Sequence, residues 1–452
     1  MRSTSPLAKH DTQLSQAARL PTIEMGNMTI TVGINGFGRI GRSYFRALLT
    51  SGADIRVAAV NDLTSAQTLA NLLKYDSVYG PLSQQVVAEG SSIRIGDSVV
   101  EVLSERDPAQ LPWHRLGVDV VIESTGVFND AAKARAHIDA GASKVVVSAA
   151  AKNADLTLVI GVNDDLYDPA EHTIVSNASC TTNCLAVMAK VLDDALGIEC
   201  GTMTTIHAYT QDQNLQDGPH RDPRRARAAN LSTIPTTTNA ASAIGLVLPS
   251  LNGKLDGYSV RVPVPVGSLT DLTVRVARET TVEEVNSLFR KAADGELARV
   301  LRYTADPVVS ADIVRDPASC IFDSLLTQVI EGRHVHIFGW YDNEWGFSNR
   351  LIETTQLVGG ATALRTPLSS APRATRQACG RPRLRRRQDC RARIPERVWL
   401  ELSCASGLEQ PPADFVPGQV SEERFRVEGL RWREHRWFGA VGHQSPGPPR
   451  PL

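Results

Sequence analysis

Two short stretches of the chain hold residue types whose spacing could do chemistry. The first is Gly36-Phe-Gly38-Arg-Ile-Gly41, a GxGxxG that follows a β-branched run and opens a helical one. Gly36 permits a tight turn, Gly38 lets the backbone approach a diphosphate, and Gly41 lets the helix pack close to a sheet. The helix start offers N–H groups and a positive dipole end to that diphosphate. Asp62 lies 21 residues beyond Gly41, at the end of the next strand-like run. A carboxylate there accepts hydrogen bonds from ribose hydroxyls and repels a 2′-phosphate, so the expected cofactor is NAD rather than NADP. The competing reading is that the glycines only punctuate turns.

The second stretch is Ser176-Asn-Ala-Ser-Cys180-Thr-Thr-Asn-Cys184. Cys180 falls at the start of a helical run through Leu192, where the helix dipole would lower a thiol pKa and favour a nucleophilic thiolate. Cys184, one turn further in, reads as packed. His207, at the end of the strand Thr202 to Ile206, is the candidate partner of the thiol. A structural histidine at a strand end competes with that reading. Metal binding through Cys180 and Cys184 lacks a second ligand pair, and no metal is expected.

These residues need a scaffold to place them. Thr29 to Ile34, Asp54 to Val60, Val118 to Glu123, Lys144 to Ser148 and Leu158 to Gly161 read as buried strands. Helical patterns at Ile40 to Leu49 and Ser65 to Leu73 alternate with the first of them, which implies βαβ units and a parallel sheet. After Thr202 the strands lengthen and alternate, as in Thr202 to Ala208 and Ser268 to Ala277. The expected fold class is therefore α/β, a Rossmann domain followed by an α+β catalytic domain with a mostly antiparallel sheet. The expected divisions are a disordered leader at 1–27, a cofactor domain at 28–178, a catalytic domain at 179–345, a returning helix at 346–360 and a tail at 361–452.

Composition bounds the function. The net charge is −1 over 452 residues, and no run of 18 apolar residues exists, so no membrane association is expected. Seven cysteines are too sparse for a disulfide scaffold and point to a reducing compartment, the cytoplasm. Residues 361–452 stand apart, with 17 arginines, no lysine, 11 prolines and nine acids, a net charge of about +8. That tail reads either as a basic arm for nucleic acid or as a disordered appendage without selected function, such as an out-of-frame extension. The second reading is preferred, so nucleic-acid binding is not expected. Met25 and Met28 both precede the first strand, and Met28 would be a natural start.

Taken together, the motifs resemble the phosphorylating glyceraldehyde-3-phosphate dehydrogenase family of the bacterial type. The stretches that carry the resemblance are INGFGRIGR, ESTGVF, SNASCTTNCLA, HAYTQDQ, RRARAA, GKLDGYSVRVP and WYDNEWGFSNR, spread over Met28 to Gly360. The resemblance implies that Cys180 attacks the aldehyde to form a hemithioacetal, with His207 exchanging its protons. Hydride transfer to NAD then leaves a thioester, which inorganic phosphate opens to an acyl phosphate. It further implies that Thr210 and Arg261 hold the substrate phosphate with Arg225 nearby, although Arg225 also fits a surface charge cluster. Ser179, Thr181, Thr238 and Asn239 would form the inorganic-phosphate site. Arg39 and Ile40 match the diphosphate loop, Arg106 and Ser148 outer cofactor contacts, and Asn343 the residue that fixes the nicotinamide carboxamide. Phe347 stands where the family usually has Tyr. The loop from Thr210 to Arg227, with Gly218-Pro219, implies a homotetramer.

Departures from the pattern set further expectations. Asn239 replaces a usual glycine and would tolerate a positive φ there while crowding the phosphate site. Ser148-Ala-Ala-Ala-Lys lacks a usual proline, which would loosen that loop. Asn252 and Ser242 sit where lysine is common. The C-terminal helix begins with Arg350 to Leu357 and is interrupted by Gly359-Gly360. Erythrose-4-phosphate dehydrogenase is the close functional alternative, and a catalytically weak NAD or redox sensor the distant one.

Overall fold

The computed structural model describes residues 29–360. The expectations for the leader at 1–27 and the tail at 361–452 lie outside the described residues. The chain begins with β1 (Ile30–Asn35), α1 (Arg39–Ser51), β2 (Ile55–Asn61) and α2 (Ala66–Lys74). It continues through β3 (Val86–Glu89), β4 (Ser92–Ile95), β5 (Ser98–Leu103), α3 (Trp113–Leu116), β6 (Val120–Glu123), α4 (Ala131–Ala134) and α5 (Ala136–Asp139). Three further strands, β7 (Lys144–Val147), β8 (Leu156–Thr157) and β9 (Ile174–Ser176), complete a nine-stranded sheet in the order β3-β4-β5-β2-β1-β6-β7-β9-β8.

All its pairings are parallel except those of β3 with β4 and β4 with β5. Every residue of β1 is buried, as a central parallel strand covered on both faces requires. Strand order reverses between β2 and β6 on either side of β1, which opens a crevice at their carboxyl ends. The apolar run Leu158 to Gly161 is not a strand. Its buried backbone is held instead by Asn163, whose Oδ1 accepts from Val159 N–H at 2.8 Å while its Nδ2 donates to Thr157 O at 3.0 Å.

The second half starts with α6 (Cys180–Leu196), one turn longer than the sequence pattern, followed by β10 (Ile198–Ala208), β11 (Ile234–Thr237), α7 (Ala240–Val247), β12 (Leu255–Val262) and β13 (Ser268–Val276). Next come α8 (Val282–Asp294), β14 (Leu301–Thr304), β15 (Cys320–Asp323), β16 (Gln328–Ile330), β17 (His334–Tyr341) and α9 (Trp345–Val358). The sheet order is β11-β12-β10-β13-β17-β15-β14, with β16 on β17. It is mixed: β10 with β12 and β14 with β15 run parallel, and the other pairs are antiparallel. Alternation along β13 buries one face against α6, whose apolar side fills the space above the sheet.

The last helix starts at Trp345, one residue before the expected 346 and ahead of the Arg350 to Leu357 pattern, and the Asp342 carboxylate holds its start, accepting from the N–H groups of Glu344 at 2.9 Å and Trp345 at 2.7 Å. It packs back onto α1, where Tyr44 Oη donates to Thr355 Oγ1 at 3.2 Å. Gly359 closes it, and Gly360 takes φ +83°, a conformation open to glycine.

Candidate active site

A cleft of about 940 Å³ runs from the carboxyl ends of β1 and β2 to the start of α6. Gly36, Gly38, Arg39, Ile40, Asp62, Arg106, Ser148, Ser179, Cys180, His207, Thr210 and Asn343 all line it. The sequence had no short-range reason to join these residues; the strand order brings their segments to one edge.

At the cofactor end, Gly36 has φ +90°, and a Cβ there would lie 2.6 Å from Thr125 N. The first turn of α1 has no side-chain cap at Gly38, so its N–H groups remain for a bound anion. Gly41 lies behind the loop rather than in the cleft, with the Gly36 carbonyl where its Cβ would be. Asp62 is held by Phe37 N–H on Oδ2 and Thr64 N–H on Oδ1, both at 3.0 Å. Each carboxylate oxygen keeps a second lone pair for a ribose hydroxyl. Asn343 Oδ1 accepts from Gly267 N–H at 3.2 Å and Ser268 Oγ at 3.0 Å. Because a backbone N–H can only donate, the amide oxygen faces Gly267 and the Nδ2 donors are left to the cleft, suited to a carboxamide oxygen. These residues fit a dinucleotide. The Ser148 loop, which lacks the usual proline, is tied to β9: Ser176 Oγ donates to Ala149 O at 2.8 Å and accepts from Ala151 N–H at 3.1 Å.

At the other end, Cys180 is the first residue of α6, capped by Ser179, whose Oγ accepts from Thr182 N–H at 3.0 Å. Ala178, just before, is fully buried with φ +55°, a left-handed conformation costly for a residue with a Cβ. That strained corner aims the helix start at the cleft. His207 sits inside β10, one residue before its end, and places Nε2 at 3.4 Å from Cys180 Sγ. Burial pushes the Cys180 thiol up to about 11 and the His207 imidazole down to about 3. The positive charge of Arg261 and the Thr181 and Cys180 hydrogen bonds pull the thiol the other way. Desolvation outweighs the helix-start effect expected from sequence, and it favours the neutral form of each partner.

The anion-binding candidates divide. Arg261 Nη1 donates to Thr210 Oγ1 at 3.1 Å, and Thr210 Oγ1 donates to Asp212. Arg225 reaches the other Asp212 oxygen at 2.6 Å and Thr236 Oγ1 at 2.9 Å. Asp212, two residues past Thr210, thus joins both cationic arms; sequence reasoning missed it, though it stands within the HAYTQDQ stretch. Thr181 places its hydroxyl 2.9 Å from Tyr341 Oη, and Tyr341 Oη contacts Thr205 Oγ1 at 2.8 Å. Thr238 accepts from Ala240 N–H at 3.2 Å, and neither it nor Asn239 lines the cleft. Asn239 has φ −93°, so no positive φ has to be tolerated there. Cys184 is buried against Met188 and the Gly339 carbonyl, and no metal-ligand cluster exists among the described residues.

Residues 30–131 match the family description "Glyceraldehyde 3-phosphate dehydrogenase, NAD binding domain", and residues 179–343 match "Glyceraldehyde 3-phosphate dehydrogenase, C-terminal domain". The chain is 64% identical over 332 residues to glyceraldehyde-3-phosphate dehydrogenase 1 of Streptomyces avermitilis, which covers 74% of this chain and 99% of that protein. It belongs to the glyceraldehyde-3-phosphate dehydrogenase family. Glyceraldehyde-3-phosphate dehydrogenases of Streptomyces coelicolor (61% over 333 residues, 74% of this chain and 99% of that protein) and Mycobacterium avium (59% over 338 residues, 74% and 99%) are further relatives. The chain is accordingly an NAD-dependent oxidoreductase of the bacterial glyceraldehyde-3-phosphate dehydrogenase type, with NAD as its cofactor. The family's reaction is a step of glycolysis.

Proposed function

We propose that this enzyme oxidises D-glyceraldehyde 3-phosphate to 1,3-bisphosphoglycerate with Cys180 as nucleophile and His207 as acid–base partner. The observation that carries the assignment is the 3.4 Å contact between Cys180 Sγ and His207 Nε2 at the point where the cofactor cleft meets Thr210, whose Oγ1 accepts from Arg261 Nη1 at 3.1 Å. Arg261, Thr210 and Arg225 bind the substrate phosphate and set the aldehyde carbon over Sγ. His207 Nε2 takes the thiol proton as Sγ adds to the carbonyl carbon, and returns it to the carbonyl oxygen to give the hemithioacetal. The backbone N–H at the start of α6 stabilises the developing oxyanion.

NAD, when bound, supplies the hydride acceptor, held by Asp62 at its ribose and by Asn343 at its carboxamide. His207 takes the hemithioacetal hydroxyl proton as the carbon is oxidised to a thioester. Inorganic phosphate then attacks the thioester carbon, the C–S bond breaks, and the sulfur regains its proton from His207. Ser179, which lines the cleft beside Cys180, offers a hydroxyl to that second anion.

The two sheets and the returning helix support a division at 28–178, 179–345 and 346–360. A homotetramer is what the family resemblance implies, and the exposed Leu215 and Leu231 between β10 and β11 are available to a subunit contact. A cytoplasmic location accords with the four unpaired cysteines among the described residues and with the absence there of any helix able to cross a membrane. The test is NAD reduction with glyceraldehyde 3-phosphate, with and without inorganic phosphate, beside Cys180→Ala. Phosphate-dependent turnover lost in the variant supports the assignment. Turnover that survives Cys180→Ala, or that prefers erythrose 4-phosphate, overturns it.

A further inference from the structure

Asn343 has neighbours that its own contacts do not require. It stands in the turn between β17 and α9, and its amide oxygen is oriented from within the second sheet's half of the chain, by Gly267 N–H and Ser268 Oγ. The residues on either side of it reach across to the first sheet's half. Before it, the Asp342 carboxylate accepts from Tyr79 Oη at 2.9 Å. After it, the Glu344 carboxylate takes the edge of the Arg39 guanidinium, with Nε donating to Oε1 at 2.9 Å and Nη2 donating to Oε2. The third nitrogen, Nη1, donates to Asp76 at 2.6 Å, and Asp76 is itself held by the N–H groups of Val78 and Tyr79, both at 2.9 Å.

Arg39 is also the first residue of α1, so its backbone belongs to the helix start that offers N–H groups to the diphosphate. Its side chain does something else: Nε, Nη1 and Nη2 each donate to a carboxylate. A pair of parallel hydrogen bonds between guanidinium and carboxylate fixes direction as well as distance. Arg39 and Glu344 both line the cleft, so this pair spans it from the diphosphate loop to the residue next to Asn343.

We propose that Arg39 and Glu344 are positioning residues for hydride transfer: their pair sets the separation of the diphosphate loop from Asn343 and so places the nicotinamide ring. The cofactor is gripped at two points, the diphosphate at the start of α1 and the carboxamide at Asn343. With the pair slackened, the adenosine and diphosphate still bind, but the ring is no longer held in one pose. Hydride transfer tolerates little of this, because the reacting atoms must lie about 3–3.5 Å apart and aligned. The inference rests on the proposed role of Asn343 at the carboxamide.

The test compares Glu344→Gln, Arg39→Lys and Asn343→Ala with the wild-type enzyme. Calorimetry titrates each with NAD and with ADP-ribose, which carries the diphosphate and both riboses but no nicotinamide. Glyceraldehyde 3-phosphate deuterated at the aldehyde carbon then shows which face of the nicotinamide receives the label. Glutamine keeps the shape of Glu344 without its charge, and lysine cannot reproduce the guanidinium fork. In both variants the ratio of NAD to ADP-ribose affinity should fall roughly three- to tenfold, the worth of one carboxamide hydrogen bond, and deuterium should appear on both faces of the reduced ring. ADP-ribose should bind Glu344→Gln as tightly as wild type or tighter, since the cleft loses a negative charge. Weakening of both ligands alike, with the label confined to one face, would make the pair packing between the two halves only and overturn the proposal. A ratio that falls in Asn343→Ala but in neither Glu344→Gln nor Arg39→Lys also overturns it, and leaves Asn343 at the carboxamide. A ratio unchanged in Asn343→Ala removes Asn343 from that place, and the proposal with it.

Discussion

Gly38 and Gly41 make a paired experiment, because adding one methyl at each should break different things. A Cβ on Gly41 would sit 2.3 Å from the Gly36 carbonyl oxygen and 3.2 Å from Ser124 Oγ. An ordinary contact needs roughly 1 Å more, so α1 must move off the loop or the loop must open. Such overpacking costs about 1–3 kcal/mol. The helix propensity of alanine returns up to about 1 kcal/mol. With a contact this short the cost falls at the upper end, so Gly41→Ala should destabilise by about 2 kcal/mol, or a few degrees at roughly 2–4 °C per kcal/mol. It should also weaken NAD binding, because the helix start moves away from the diphosphate. Gly38 differs: nothing lies within 4 Å of its Cβ position, and its φ of −71° suits any residue. Gly38→Ala should leave the apo melting temperature unchanged or raise it, by about 0.4–1 kcal/mol of unfolded-state entropy. Its methyl projects where the diphosphate approaches, so NAD affinity should drop about tenfold for each 1.4 kcal/mol of lost contact. Apo-protein melting and NAD titration calorimetry read the two effects. A Gly41→Ala protein as stable as wild type, or a Gly38→Ala protein that melts early but binds NAD normally, would refute the reasoning.

Four other outcomes follow from the site. His207→Asn should slow the single-turnover burst of NADH by about 10²–10⁴-fold while NAD affinity holds, and an unchanged burst would remove His207 from the proton path. The lowered pKa of buried His207 also has a stability consequence. The unfolded chain takes up this proton below its ordinary value of about 6.5 while the native ring stays neutral to about 3, so its contribution is full above 6.5 and shrinks as pH falls through that window. Urea midpoints at pH 7 and pH 4.5 should therefore fall less in His207→Asn than in wild type; an equal fall would show that the ring titrates normally. Tyr341→Phe removes the hydroxyl between Thr181 and Thr205 and should cost about 1–3 kcal/mol in urea unfolding, with slower acylation as the first turn of α6 loosens. Ala178→Gly releases the left-handed strain and should stabilise by about 1 kcal/mol net of glycine's own entropy, with kcat unchanged or lower; a destabilised variant would mean that the strain is not there.

Much of this protein was legible in one dimension. GxGxxG between a β-branched run and a helix, with Asp62 one βαβ unit further on, specifies a dinucleotide crevice because each residue acts through its own backbone or through the strand that carries it. Cys180 at a helix start is equally local. What the sequence could not settle depends on side chains that meet across the fold. Mutual distance in space decides that Asp212 ties Thr210 to Arg225, that Thr181 meets Tyr341 on β17, and that Arg261 and the Ala208 carbonyl both lie against Nδ1 of His207. Desolvation is likewise a sum over everything packed around a group, which is why the helix start suggested a lowered thiol pKa and the folded surroundings raise it. The conformation of Asn239 shows the same limit at the backbone: its negative φ is set by the start of α7 and the turn before it, not by the residue type at that position.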